Sequence, residues 1–221
     1  MGQSVQLKIC GLRRLQDVEY VNELMPDFVG FIFAPSKRQL TKEQAAELAK
    51  KIHPNIKRVG VFVNQPVDFA VGLLADGVIQ YAQLHGGENA PYISDLRQQA
   101  KLHGVDAKII KAVRVRSQED LIGVEDIDCE YLLLDAWSEE GQAAGGNGKT
   151  FDWSLIRTIN KPFFLAGGLH PKNVGTAIRD VQPFGIDASS CMETDGYKDF
   201  DKMKEFVEAV RGASENGGIY E

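Results

Sequence analysis

Residues 162–168 read Pro-Phe-Phe-Leu-Ala-Gly-Gly, and residues 183–190 read Pro-Phe-Gly-Ile-Asp-Ala-Ser-Ser. Each is a short apolar run that stops at small or hydroxylic residues, and each is followed by a helical pattern. Neighbouring strand-to-helix loops built this way let bare backbone N–H groups approach a phosphate. The pair therefore points both to a parallel α/β fold and to an anionic ligand.

Working outward, runs of the same kind recur along the chain. They lie at Gln6–Cys10, Phe28–Phe33, Arg58–Val63, Ile79–Leu84, Ala107–Val113, Tyr131–Asp135, Pro162–Ala166 and Phe184–Asp187. Most are continuously apolar rather than alternating, as expected of parallel strands covered on both faces. Helical spacing appears between them, at Gln16–Leu24, Lys42–Ile52 and Met203–Val210, and Thr41 with Gln44 fits a capping box. Eight strands alternating with eight helices predict a single-domain (β/α)₈ TIM barrel with a parallel eight-stranded sheet spanning residues 1–221, its tail frayed from about Ser214. The alternative, an open doubly wound sheet, calls for a glycine fingerprint after the first strand. Here that strand runs into Cys10-Gly11-Leu12-Arg13 instead.

Composition narrows the function classes. The 221 residues carry a net charge of -6, which gives no support for a nucleic-acid partner. No apolar run is long enough for a membrane span, and no secretory signal is visible at the start. Cys10, Cys129 and Cys191 form no C-x-x-C pair, which fits a reducing, cytoplasmic setting better than a disulfide framework. No metal-ligand spacing and no cofactor fingerprint appears, so the expectation is a cofactor-free and metal-free protein.

A barrel places its site where strands end. The residues there are Cys10, then Phe33 leading to Ser36-Lys37-Arg38, Asn64, His85, Lys111, Asp135, Gly167-Gly168 and Asp187 with Ser189-Ser190. Cys10 is either a buried structural thiol or, beside Gly11 and near Lys8, a partly exposed and partly ionised base or nucleophile. Asp135 closes an apolar run; burying a carboxylate for packing alone is costly, so it reads as an acid or as a loop anchor. Arg38 is a solvated loop charge or a bidentate partner for a carboxylate. His85 alone reads as structural, and His53 and Cys129 as non-functional. Residues 145–150, Gly-Gly-Asn-Gly-Lys-Thr, mimic the end of a P-loop, but Ala143 stands where its first glycine belongs and the segment lies far beyond its strand. It reads as a lid instead. Together these residues suggest cofactor-free acid–base chemistry on a small phosphorylated acid.

At these same residues the chain resembles the phosphoribosylanthranilate isomerase family. The resemblance runs from Lys8-Ile9-Cys10-Gly11 through Val29–Phe33 with Ser36-Lys37-Arg38, Val59–Asn64, Gln83-Leu84-His85-Gly86 and Leu132–Asp135. It continues through Gly145–Gly148 with Phe151-Asp152-Trp153, Leu165–Leu169 and Asp187–Ser190 to Glu193, Gly196 and Lys198-Asp199. It implies a (β/α)₈ barrel that catalyses an Amadori rearrangement in tryptophan biosynthesis. By that resemblance Asp135 is the general acid and Cys10 the general base, and Arg38 binds the anthranilate carboxylate. Gly167, Gly168, Ser189 and Ser190 then belong to the phosphate loops, and His85 and Asp187 line the pocket. A thiolate base paired with a carboxylic acid implies a bell-shaped pH dependence. The chain departs from the family pattern at Cys191, where glycine is usual and where a left-handed backbone would strain any other residue. It departs also at Asn147 and Lys37. Other readings of the same residues are a barrel that binds its phosphorylated ligand without turnover, and a related isomerase of a histidine-pathway aminoaldose. Either a monomer or a homodimer is compatible with the sequence.

Overall fold

The computed structural model describes residues 4–136, 152–156 and 158–216. Eight strands close into one barrel in chain order: β1 Gln6–Cys10, β2 Phe28–Ile32, β3 Lys57–Phe62, β4 Tyr81–Leu84, β5 Lys108–Val115, β6 Tyr131–Ala136, β7 Phe163–Leu165 and β8 Gly185–Ala188. Every neighbouring pair is parallel, and β8 closes the ring on β1 with Gln6 opposite Gly185 and Ile9 opposite Ala188. The (β/α)₈ expectation holds.

Alternation along each strand sorts side chains into two packed layers. One set faces the helices and forms the larger core, with Ile9, Val29, Phe31, Phe62, Leu132 and Leu134 among its members. The other set fills the barrel interior: Phe28, Val59, Tyr81, Ile110, Leu133 and Phe164 pack there. Phe28 meets Tyr81 and Phe164 edge-on at 5.4 and 5.2 Å between ring centroids, so aromatic rings plug the lower barrel. The same alternation carries up each strand. Residues two or four further along face the interior above this plug, and these are the residues that meet at the barrel mouth.

Six α-helices cover the outside among the described residues: α1 Leu15–Leu24, α2 Lys42–Ala49, α3 Val67–Ala75, α4 Ala90–Leu102, α5 Pro171–Val181 and α6 Phe200–Asn216. The Thr41–Gln44 capping box of α2 is formed in both directions. The expectation of eight helices is corrected on one side of the barrel. Between β5 and β6 the chain makes only one-turn 3-10 segments, Gln118–Leu121 and Val124–Asp126, and another at Trp153–Ile156 follows β6. Ile122 turns extended after the first of them and Gly123 follows with φ +74°, so the two single turns do not join into one helix. At the other end α6 carries the chain through Asn216, past Ser214 where the tail was expected to begin, and Ser214 Oγ bonds back to the Val210 carbonyl at 3.1 Å. Among the described residues no helix is long and apolar enough to cross a membrane.

Candidate active site

Above the aromatic plug lies a cavity of about 450 Å³ whose walls include Cys10, Arg38, His85, Asp135, Gly168 and Asp187. A cavity of about 610 Å³ opens at the opposite end, among Lys57, Tyr131, Lys161 and Phe184, and holds none of the expected site residues. Chemistry follows the first of the two, because that is the end where the strands terminate.

Cys10 ends β1 opposite Gly30 of β2. A Cβ on Gly30 would stand 2.7 Å from Cys10 Sγ, so only glycine leaves the thiol its place. Of the two readings of Cys10, the structure favours a buried thiol over a partly exposed one: Cys10 is 7% exposed, and burial pushes it above its ordinary value while Lys8 pulls the other way. Lys8 is wholly buried in the barrel interior, two residues below Cys10 on the same face. Its Nζ donates to Asp187 Oδ1 at 2.8 Å across the β1–β8 seam. Burial works against the ammonium, but Asp187 and the Cys10 sulfur outweigh it and Lys8 stays charged. Burial raises the Asp187 carboxyl against the pull of Lys8.

Arg38 reaches this side of the mouth from the loop after β2. Its Nε and Nη2 donate to Glu193 Oε1 and Oε2 at 2.8 and 2.6 Å, so its bidentate carboxylate partner lies within the chain itself. Glu193 begins a small hairpin, Glu193–Thr194 paired with Tyr197–Lys198. From there Lys198 Nζ donates to Glu193 Oε1 at 3.0 Å and to the Ser189 carbonyl at 2.9 Å. Burial works to raise the Glu193 carboxyl, but Arg38 and Lys198 outweigh it and hold it below the usual range. Ser189 Oγ in turn donates to the Cys10 carbonyl at 2.9 Å and fastens the eighth loop to the end of β1.

Across the mouth, Gln83, His85 and Asp135 form a line from β4 to β6. Gln83 is 1% exposed and its Nε2 lies 2.9 Å from His85 Nδ1. The other ring nitrogen, Nε2, faces Asp135 Oδ2 at 3.5 Å. That separation is longer than an ordinary hydrogen bond.

The third wall is formed by the β7 and β8 loops, on which a phosphate site was expected. Gly167 and Gly168 adopt left-handed φ values of +86° and +65°, the backbone freedom that a close ligand approach needs. Asn173, in the first turn of α5, fixes this loop by donating to the Gly168 carbonyl at 3.0 Å and accepting from the His170 N–H at 2.8 Å. Cys191 is not among the residues with positive φ; it sits in the single 3-10 turn Ser190–Met192, so the strain expected there does not arise. Its thiol is pushed up to about 11 by burial.

All nine expected residues thus border one cavity or its loops. Lys111 does not join them. It lies on the outer face of β5, where its Nζ holds the loop after β4 through Gly86 O at 2.8 Å and Glu88 Oε2 at 3.3 Å. Asn64 is bound into that same loop, accepting from the Gly87 N–H at 2.8 Å. The lid reading of 145–150 falls outside the described residues. Sequence reasoning set Lys8 near Cys10 as a help to its ionisation, and gave Gln83, Glu193 and Lys198 no role of their own. Lys8 and Gln83 were detectable as polar residues interrupting apolar strands; Glu193 acts through Arg38, 155 residues away, and Lys198 through Glu193 and Ser189 once the hairpin has formed. Among the described residues no group of three His, Cys, Asp or Glu could hold a metal ion.

Residues 7–209 match the family model described as N-(5'-phosphoribosyl)anthranilate (PRA) isomerase. The chain is 44% identical over 210 residues to the N-(5'-phosphoribosyl)anthranilate isomerase of Thermoanaerobacter sp. (strain X514), covering 94% of this chain and 98% of that one. Among solved structures it is similar to the phosphoribosyl anthranilate isomerase of Thermotoga maritima, with a TM-score of 0.81, 36% identity and coverage of 94% and 99%. It is similar also to a phosphoribosyl anthranilate isomerase in complex with reduced 1-(o-carboxyphenylamino)-1-deoxyribulose 5-phosphate, with a TM-score of 0.77, 34% identity and the same coverage. A barrel mouth with a thiol on β1, a carboxyl on β6 and a glycine–serine handle on β7 and β8 agrees with that similarity, and the chain belongs to the N-(5'-phosphoribosyl)anthranilate isomerase family.

Proposed function

We propose that the protein isomerises N-(5-phosphoribosyl)anthranilate to 1-(2-carboxyphenylamino)-1-deoxyribulose 5-phosphate, with Asp135 as general acid and Cys10 as general base. The observation that carries the reading is the placement of Cys10 and Asp135 on one cavity, beside the β7–β8 loops, in a chain of this family. Protonation of the furanose ring oxygen by Asp135 opens the ring to an iminium ion. That cation acidifies the neighbouring C2′–H, so a thiolate is a strong enough base and the substrate supplies its own electron sink. Cys10 takes the C2′ proton, and the resulting enolamine relaxes to the ketone. The β7 and β8 loops hold the phosphate through backbone N–H groups. Purified protein given freshly made phosphoribosylanthranilate is expected to remove its fluorescence well above the spontaneous rate; loss at the background rate alone would overturn the assignment.

Arg38 is the anchor for the anthranilate carboxylate in this reading. Glu193 occupies Nε and Nη2, which leaves Nη1 to meet the substrate from a guanidinium whose orientation is already fixed. Arg38→Ala should therefore raise KM by about 10- to 100-fold, the scale of one lost charge-assisted hydrogen bond, and lower kcat much less. Steady-state kinetics check this, and an effect confined to kcat would contradict it.

The raised Cys10 thiol also broadens the expected pH profile. Turnover needs Cys10 ionised and Asp135 protonated, and the alkaline limb reports whichever group titrates higher. A thiol held above its ordinary 9.0 places that limb above pH 9, whichever group it belongs to. kcat/KM is expected to hold up to about pH 9 and to fall only beyond it. A decline that begins near pH 7 would contradict a buried thiolate base.

A further inference from the structure

Three cations and two carboxylates gather around the Cys10 sulfur. Lys8 comes from β1, Asp187 from β8, Arg38 from the loop after β2, and Glu193 and Lys198 from the small hairpin. Arg38 and Lys198 share Glu193, whereas Lys8 has Asp187 alone, at 2.8 Å. A neutral thiol leaves this cluster one positive charge in excess, and a thiolate balances it. Of the three cations, Lys8 is the one that shares the strand of Cys10, two residues below it on the same interior face. Both side chains are buried, Lys8 wholly so, which leaves little solvent between them to screen their charges. A buried lysine paired with an aspartate contributes little to stability compared with apolar side chains of equal volume. Its place under the thiol suggests that it serves the thiol rather than the fold.

We propose that Lys8 is a positioning residue of the reaction: its ammonium, fixed by Asp187 beneath Cys10, stabilises the negative charge that the base must carry. Asp187 is the opposing weight. It keeps Lys8 charged and oriented, and its own charge restrains ionisation of the thiol, so that the proton taken from substrate can be given up again. The proposal rests on the reading of Cys10 as the base, but its test does not depend on turnover.

The test is the pH dependence of Cys10 alkylation by iodoacetamide, followed by mass spectrometry of the peptide that contains Cys10. Lys8→Met should move the midpoint upward by a pH unit or more, equivalent to a tenfold loss of thiolate at a given pH. Asp187→Asn should move it downward, and Lys8→Arg should keep it near the wild-type position. If Lys8→Met does not fold, the double variant Lys8→Met/Asp187→Asn replaces it, since it removes the pair together. Its midpoint should then lie a unit or more above that of Asp187→Asn alone. The alkaline limb of kcat/KM should move in the same direction in each active variant. Folded variants in which neither Lys8 change alters the alkylation midpoint would overturn the proposal. A shifted midpoint combined with full turnover in Cys10→Ala would instead overturn the reading of Cys10 as base while leaving the electrostatic link intact.

Discussion

Cys10→Ala should lower kcat by at least about 10²-fold, the lower end of what a positioned general base contributes, with KM changed only a few-fold. In the proposed reading the substrate's two anionic handles are held elsewhere, by the β7–β8 loops and by Arg38, so losing the sulfur should leave binding in place. The packing cost is small as well. Cys10 lies at the rim of the interior, above the Phe28–Tyr81–Phe164 plug, and its neighbour Gly30 carries no side chain to be left without a partner. Thermal melting and binding of reduced 1-(o-carboxyphenylamino)-1-deoxyribulose 5-phosphate separate the catalytic effect from misfolding. Near-wild-type turnover in a folded variant would remove Cys10 from the mechanism.

Asp135→Asn should produce a loss of similar size, at least about 10²-fold in kcat, for a different reason. Asparagine keeps the shape and a hydrogen-bond donor, but it cannot transfer a proton to the ring oxygen. Ring opening is then left to water or to His85, whose Nε2 is 3.5 Å from the carboxyl oxygen it would lose. His85→Ala alone should therefore cost less than Asp135→Asn. Single-turnover kinetics on the two variants check this order. Equal losses would mean that Asp135 acts only as an anchor for His85.

Much of the barrel was legible in the sequence because continuous apolar runs and their spacing record which segments are covered on both faces. β1 was located to the residue, Gln6–Cys10. Strand ends elsewhere slipped by one or two positions. Their limits are set by ladder bonds to neighbours, as at β7, where Phe163 pairs with Leu132 of β6. The 3-10 connections between β5 and β6 were missed because Gly123 acts through its backbone angle, which helical spacing does not encode. In the site, the nine residues singled out were placed correctly, since alternation carries those positions to the mouth, but at β5 Lys111 was read in place of Arg114, which alternation turns into the cavity. The electrostatics were not legible. The Lys8–Asp187 pair joins residues 179 apart in sequence, and the Arg38–Glu193 pair joins residues 155 apart. Whether Cys10 is open or buried could not be read from its neighbours in sequence, and it is buried. Arg38 looked free to embrace a carboxylate and already holds one. Both outcomes arise from which strands the closed barrel brings side by side.

The central claim is that Cys10 removes the C2′ proton. It is tested most directly by the turnover of phosphoribosylanthranilate deuterated at C2′ in the Cys10→Ser variant, where a poorer base makes proton removal limit the rate. The deuterated substrate is expected to react clearly more slowly than the ordinary one. Equal rates for the two substrates, in a variant whose turnover is already impaired, would show that Cys10 serves some step other than the one assigned to it.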